Sequence, residues 1–287
     1  MVAIAATTVG FARSQPEPHA LVYNRVAKAS SSSMTLILME QATSLHLQVH
    51  FAGLYDFPDV QTLNHTLQKL VAGRPSIYIR HAHHLFSAHP ALAWINVVRE
   101  PVERWRSEYD FQRSESFKRA TGHGATSEVD PCGRRTSSLL ECLNMLEAAS
   151  TPIRMPSQME YFCEPYEACH APRSCTKPNS ACSLQQALHT LHTRYHLVGL
   201  TERFKDTVAL LQMTLPTFFH EATHHADMWV QPDTRPTNRS SAEAGVFANA
   251  SVHRLLERRS PNYADERRFY ESARELFEHK WANSRHR

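Results

Sequence analysis

The chain has 287 residues, 31 basic and 28 acidic side chains, and a formal net charge of +3. That length buries a sizeable core, suiting one α/β domain with excursions better than two compact units. So slight a charge gives no bulk attraction to nucleic acid or an anionic membrane, and any anion site must be built locally. Residues 1–19 begin MVAIAATTVGFA, too short for a membrane span and lacking a basic flank; they are read as an anchor remnant or a disordered start. ALVYNRV (20–26) predicts a strand and SMTLILMEQATSL (33–45) a helix with Ser33 near its start. Further strands are expected at PSIYIRHAH (75–83) and LAWINVV (92–98), the latter an unbroken apolar run suited to burial on both faces. Glu100-Pro101 opens a helix through about Arg113, with proline where it costs no hydrogen bond.

Residues 114–185 form a polar and cysteine-rich excursion, after which 187–215 supply helix, strand and helix. A loop is expected from about 221 to 242, then a helix over 262–282 whose Phe269, Ala273, Leu276 and Phe277 share one buried face; 283–287 are a tail. The sum is a single α/β domain over 20–282 with a mostly parallel central sheet flanked by helices. Six cysteines, at 132, 142, 163, 169, 175 and 182, lie within one stretch, which suits a local disulfide framework better than zinc because no C-x-x-C occurs. Proximity suggests Cys132 with Cys142 and Cys175 with Cys182. Sequons at Asn64, Asn238 and Asn249 agree with a secretory-pathway lumen. Nineteen histidines would add positive charge if that lumen is mildly acidic.

Two stretches carry chemistry. YNRVAKASSSSM (23–34) sets a lysine and four serines between a strand and a helix, so the N–H groups of Ala29 to Ser33 and the positive end of a helix dipole converge where a phosphate or sulfate could sit. The bland alternative is a serine linker with an N-cap. A Walker A loop is not available, since G-x-x-x-x-G-K-[ST] is absent. In INVVREPVERWRSEY (95–109), Arg99 ends a buried strand and Ser107 lies on the second turn of the next helix, at the edge where open α/β sheets bind ligands. Forked guanidinium donors suit a phosphate there; a capping arginine paired with Glu103 is the alternative.

Together with EYFCEPYEAC and HLVGLTERFKDTVALLQMTLPTFF, these stretches resemble, in order and spacing, the uronyl 2-O-sulfotransferases that modify heparan, dermatan or chondroitin sulfate. The resemblance spans roughly residues 20–282. It implies a P-loop-like sulfotransferase fold and 3'-phosphoadenosine 5'-phosphosulfate as donor, with no metal. In its terms Lys28, Ala29, Ser30, Ser31, Ser32 and Ser33 take the 5'-phosphosulfate, while Arg99 and Ser107 take the 3'-phosphate. His81, in YIRHAHHLF, matches the catalytic base, and Lys28 would also stabilise the leaving group. Arg25 matches an arginine that faces the uronic acid of a glycosaminoglycan chain, and Arg119 falls where another basic substrate contact is expected. The resemblance further implies Cys163 paired with Cys169, a possible homotrimer, no nucleic-acid partner, and a Golgi-lumen type II membrane protein whose anchor is not evident in this chain.

The pattern also departs from the family. The loop reads P-K-T-G-S-T-S there, whereas Ala27 replaces the proline and Ser30 the glycine, a position where positive φ or close approach would favour glycine. Ile79 stands where heparan-specific enzymes have a second histidine, and Glu108 where the family has a tyrosine. His83 and His84 are read as surface histidines at a strand end, and Lys118, Arg134 and Arg135 as basic side chains able to line a groove. Two other readings are carried: a catalytically silent glycan-binding relative, and a zinc metalloprotease on HEATH (220–224), which satisfies H-E-x-x-H.

Overall fold

The structure is a computed structural model that describes residues 18–51, 60–82, 84, 89–114, 117–119, 129–136, 138–163, 182–229 and 250–284. Its centre is a five-stranded sheet formed by β1 (Ala20–Asn24), β2 (Gln48–Phe51), β3 (Ser76–Arg80), β4 (Leu92–Val98) and β5 (Tyr195–Leu200), in the order β2-β3-β1-β4-β5. Every pairing is parallel. All residues of β1 and β4 are buried, so both faces of the sheet's centre are covered, as the mainly apolar LAWINVV implies, its one polar residue, Asn96, being hydrogen-bonded to Asn24. The chain leaves β1 to build β2 and β3 on one side, then crosses to build β4 and β5 on the other. The order therefore reverses at β1, and a crevice opens beyond its carboxyl end.

The helices are α1 (Ser31–Ser44), α2 (Val60–Ala72), α3 (Pro101–Gln112), α4 (Leu139–Ala148), α5 (Leu184–Thr193), α6 (Phe204–Thr214), α7 (Ala222–Trp229), α8 (Ala250–Arg259) and α9 (Tyr263–Ser284). On α9, Phe269, Ala273 and Phe277 are fully buried against the sheet core and Leu276 packs partly against it, the expected face. Residue 199 must be glycine for α6 to approach β5: a Cβ there would lie 2.0 Å from Thr207 Cγ2, and Thr207 Oγ1 accepts the Leu200 N–H at 3.0 Å. A second apolar cluster lies around α3, where Val102, Trp105 and Tyr109 pack with Leu139 and Leu143 of α4 and with Leu255 and Leu256 of α8. Thus α3 is held by the excursion, by α8 and by α9.

The cysteine pairings and one loop differ from expectation in this fold, and one alternative reading is removed. Cys132 pairs with Cys142 as expected, but Cys163 pairs with Cys182, not with Cys169, and Cys182 is therefore not joined to Cys175. The reason is packing: the 3₁₀ turn Met159–Phe162 sits against α5, which brings the Cα atoms of Cys163 and Cys182 to 5.7 Å. Cys169 and Cys175 lie outside the described residues. The loop expected from 221 begins instead as α7, whose Ala222 and Ala226 are buried in the sheet core. Finally, HEATH is not one helix: Glu221 adopts φ 53° and α7 starts only at Ala222, so His220 and His224 do not share a helical face. That geometry removes the H-E-x-x-H reading.

Candidate active site

The crevice at β1 is lined by residues just past the carboxyl ends of the central strands. Arg25 continues β1 for one more bond, its N–H donating to the Arg80 carbonyl at 2.8 Å. His81 comes directly after β3, and its Nδ1 lies 2.8 Å from the Arg25 carbonyl oxygen. A carbonyl only accepts, so Nδ1 carries the proton and Nε2 is left with a lone pair. Both residues are buried. Burial, and after it the Arg25 charge, depress the His81 pKa to about 4, although the bond to the carbonyl opposes this. The imidazole is therefore neutral at physiological pH. Arg25 itself stacks its guanidinium 5.9 Å from the Phe51 ring centroid of β2, and its buried Nε has no hydrogen-bond partner among the described residues.

The loop from Val26 to Ser30 has no glycine, yet Lys28 and Ser30 both adopt left-handed backbone, at φ 63° and 52°. Ser30 is the N-cap of α1 and makes no side-chain cap; its carbonyl accepts the Met34 N–H at 3.0 Å. The N–H groups of Ser31, Ser32 and Ser33 precede that first helical bond and have no intrahelical acceptor. Ser32 is exposed, Ser33 half-buried, and Ala29 and Ser31 buried. Lys28 Nζ lies 4.1 Å from the Phe111 ring centroid of α3, and Phe117 packs edge-on against the same ring at 5.5 Å. The helical turn at 117–119 is thus anchored near Lys28, with Arg119 exposed on it.

Two arginines, Arg99 from the β4–α3 connection and Arg104 from α3, grip this loop. Arg99 Nη1 donates to the Lys28 carbonyl at 3.5 Å, and Arg104 Nη1 to the Ala27 carbonyl at 3.5 Å. Arg99 also lies 3.5 Å from Glu103, so the capping pair and the loop contact coexist. Glu108 is paired with Arg104 at 2.8 Å and largely buried, so it is not a free acid facing the crevice. Ser107 is half-buried on the second turn of α3. Beneath the site, Asn96 of β4 donates to the Asn24 carbonyl at 2.7 Å, and Asn24 donates to the Tyr161 carbonyl at 2.9 Å and meets the Tyr195 hydroxyl. This buried network ties the carboxyl end of β1 to the middle of β4 and the start of β5, and sequence reading gave no sign of it.

The remaining histidines separate cleanly. His84 is fully buried, 4.5 Å from the Trp94 ring centroid and 5.4 Å from that of Tyr195, so it is a core residue and not the surface histidine expected. Burial, then the Arg194 charge, push its pKa down to about 3. His83 lies outside the described residues. A cavity of about 460 Å³ lined by Glu100, His253, Tyr263 and Arg267 shares no residue with the loop.

Comparison with known proteins agrees with this geometry. The profile of the Sulfotransferase family matches residues 15–271. A heparan sulfate 2-O-sulfotransferase of Caenorhabditis elegans is 26% identical over 275 residues, covering 90% of this chain and 78% of the relative. Its Gallus gallus counterpart is 27% identical over 272 residues, covering 90% and 70%. A uronyl 2-sulfotransferase of Homo sapiens is 26% identical over 212 residues, covering 71% of this chain and 50% of the relative. With the family match spanning most of its length, and a parallel sheet that carries a strand–loop–helix at its switch point, this chain belongs to the sulfotransferase family.

Proposed function

We propose that this chain transfers the sulfuryl group of 3'-phosphoadenosine 5'-phosphosulfate to the 2-hydroxyl of a uronic acid in a glycosaminoglycan. The observation that carries the reading is the pair formed by His81 and Arg25: a neutral imidazole held in one tautomer, directly after β3, by the carbonyl of the residue that leads from β1 into the Lys28 loop. The names of the relatives supply the acceptor class.

The residues present fit the donor. The helix-start N–H groups of Ser31 to Ser33 and the Lys28 ammonium suit the 5'-phosphosulfate, with Ala29 and Ser30 shaping the loop. Arg99 and Ser107 hold the 3'-phosphate. In the reaction the acceptor oxygen bonds to sulfur as the bond from sulfur to the bridging oxygen breaks, which releases adenosine 3',5'-bisphosphate. His81 takes the hydroxyl proton on Nε2, and Lys28 offsets the charge that grows on the departing phosphate. Arg25 and Arg119 orient the polyanionic acceptor, since forked guanidinium donors match carboxylate and sulfate. The two disulfides among the described residues support an oxidising compartment, consistent with the Golgi lumen. A homotrimeric state belongs to the same proposal.

The test is binding of adenosine 3',5'-bisphosphate by titration calorimetry. Arg99→Ala is expected to weaken it by roughly 2 to 4 kcal/mol, because a charge-assisted contact is lost and a phosphate is left without its partner. Unchanged affinity would remove the donor site from this crevice.

A further inference from the structure

The main chain of Arg99 is clamped by a residue far away in sequence. Arg99 N–H donates to Gln158 Oε1 at 3.2 Å, and Gln158 Nε2 donates back to the Arg99 carbonyl at 2.9 Å. One side-chain amide thus satisfies both peptide groups of Arg99, just where β4 has ended and α3 has not begun. Within a strand or helix, backbone bonds would hold such a residue; at this junction a side chain takes over that role.

Gln158 is itself fixed. It is fully buried, and its N–H donates to the Glu266 carboxylate of α9 at 3.1 and 3.2 Å. Ser157 Oγ donates to the same carboxylate, and so does Met159 N–H at 3.4 Å. Glu266 is also fully buried, and burial raises its pKa against these donors and the nearby Arg104 charge. Burying a carboxylate costs several kcal/mol before its partners offset it, and an apolar residue would fill the same space without that penalty. What the carboxylate adds is a fixed backbone for residues 157–159. The neighbouring Pro156 carbonyl accepts from Arg104, which also reaches Ala27 in the loop. Residues 156–159 therefore touch both halves of the donor crevice.

We propose that Gln158, held by Glu266, is a positioning residue that aims Arg99 at the donor's 3'-phosphate. This rests on the assignment of Arg99 to that phosphate. The chemistry predicts a selective effect: loosening the Arg99 backbone should cost affinity only for a ligand that carries a 3'-phosphate.

The experiment compares two probes, adenosine 3',5'-bisphosphate and adenosine 5'-phosphate, in the wild type, Gln158→Met and Arg99→Ala, with the affinity ratio as readout. Methionine keeps the length of glutamine and removes both bonds to Arg99. Gln158→Met is expected to lower bisphosphate affinity about tenfold, the size of two lost hydrogen bonds, and to leave monophosphate affinity within about twofold. In Arg99→Ala the ratio should collapse, and adding Gln158→Met to it should change nothing further. Equal losses for both probes, or no loss, would overturn the proposal and leave Gln158 a structural residue. A ratio unaltered by Arg99→Ala would instead overturn the 3'-phosphate assignment. If Gln158→Met does not fold, the same ratio is read in Gln158→Glu, which keeps the acceptor for the Arg99 N–H and sets an oxygen against its carbonyl; an unchanged ratio there counts against the proposal.

Discussion

His81 Nδ1 and the Arg25 carbonyl oxygen lie 2.8 Å apart, so the residue that follows one strand fixes the tautomer of the residue that follows its neighbour. Burial, and after it the positive charge of the same Arg25, keep the ring neutral. If this pair forms the general base, His81→Ala should lower kcat by about 10² to 10⁴ and leave adenosine 3',5'-bisphosphate affinity nearly intact. Lys28→Ala should lower both, because its ammonium meets the donor before and during transfer. Single-turnover rates beside calorimetric affinities separate the two patterns.

The pH dependence of kcat/KM follows from the burial of the same imidazole. With the His81 pKa near 4 rather than 6.5, the base is already deprotonated throughout the neutral range. The profile should stay flat from neutral pH down to about 5 and fall below it. An acid limb centred near 6.5 would mean that His81 is not the group observed.

Stability should respond to acid over a higher window than catalysis. His81, His84 and His196 have pKa values depressed to about 4, 3 and 4, the last by burial and then by the Lys280 charge. Below pH ~6.5 the unfolded chain binds protons that the native state refuses, so their contribution is complete above that value and is lost as pH falls toward 4. Each histidine adds a slope of up to about 1.4 kcal/mol per pH unit. Urea unfolding between pH 7 and 5 measures it, and replacing His84 with an uncharged residue should flatten the curve if the variant folds.

Ser30 holds a left-handed backbone that strains an L-residue and leaves glycine unstrained. Ser30→Gly is expected to stabilise the fold by about 0.5 to 1 kcal/mol and to leave nucleotide affinity equal or better. A large loss of affinity with unchanged stability would show that the serine side chain meets the ligand.

At the sheet edge opposite β2, Gly199→Ala tests the packing of α6 on β5. The added Cβ meets Thr207 at 2.0 Å, within a pair whose hydroxyl also holds the Leu200 N–H. A loss of about 1 to 3 kcal/mol in urea unfolding is expected, with the site chemistry otherwise unaltered.

What the sequence revealed was local. The six apolar residues among the seven of β4, and Pro101 at the first turn of α3, marked those elements without tertiary information. The serine loop was legible because strand, lysine and helix start are contiguous. Edge strand β2 was missed: Gln48 and Phe51 are exposed and His50 only half-buried, so no apolar alternation marks it. Helix α2 was missed despite a signal, since Leu63, Leu67 and Leu70 recur at helical spacing and are buried. The Cys163–Cys182 pairing depended on the packing of a 3₁₀ turn against α5. Gln158 and Glu266 stand 108 residues apart in sequence, and no periodicity links them. His84 was misjudged because adjacent histidines give no hint of which one turns into the core.

The reaction itself is tested most directly by disaccharide analysis. The protein is incubated with sulfur-labelled 3'-phosphoadenosine 5'-phosphosulfate and, separately, with heparan, dermatan and chondroitin sulfate precursors, and the glycans are then depolymerised enzymatically. Label is expected on the 2-hydroxyl of a uronic acid in at least one of them, and is expected to disappear with His81→Ala. Label only on a hexosamine, or no transfer from a protein that binds the donor nucleotide, would contradict the proposed activity.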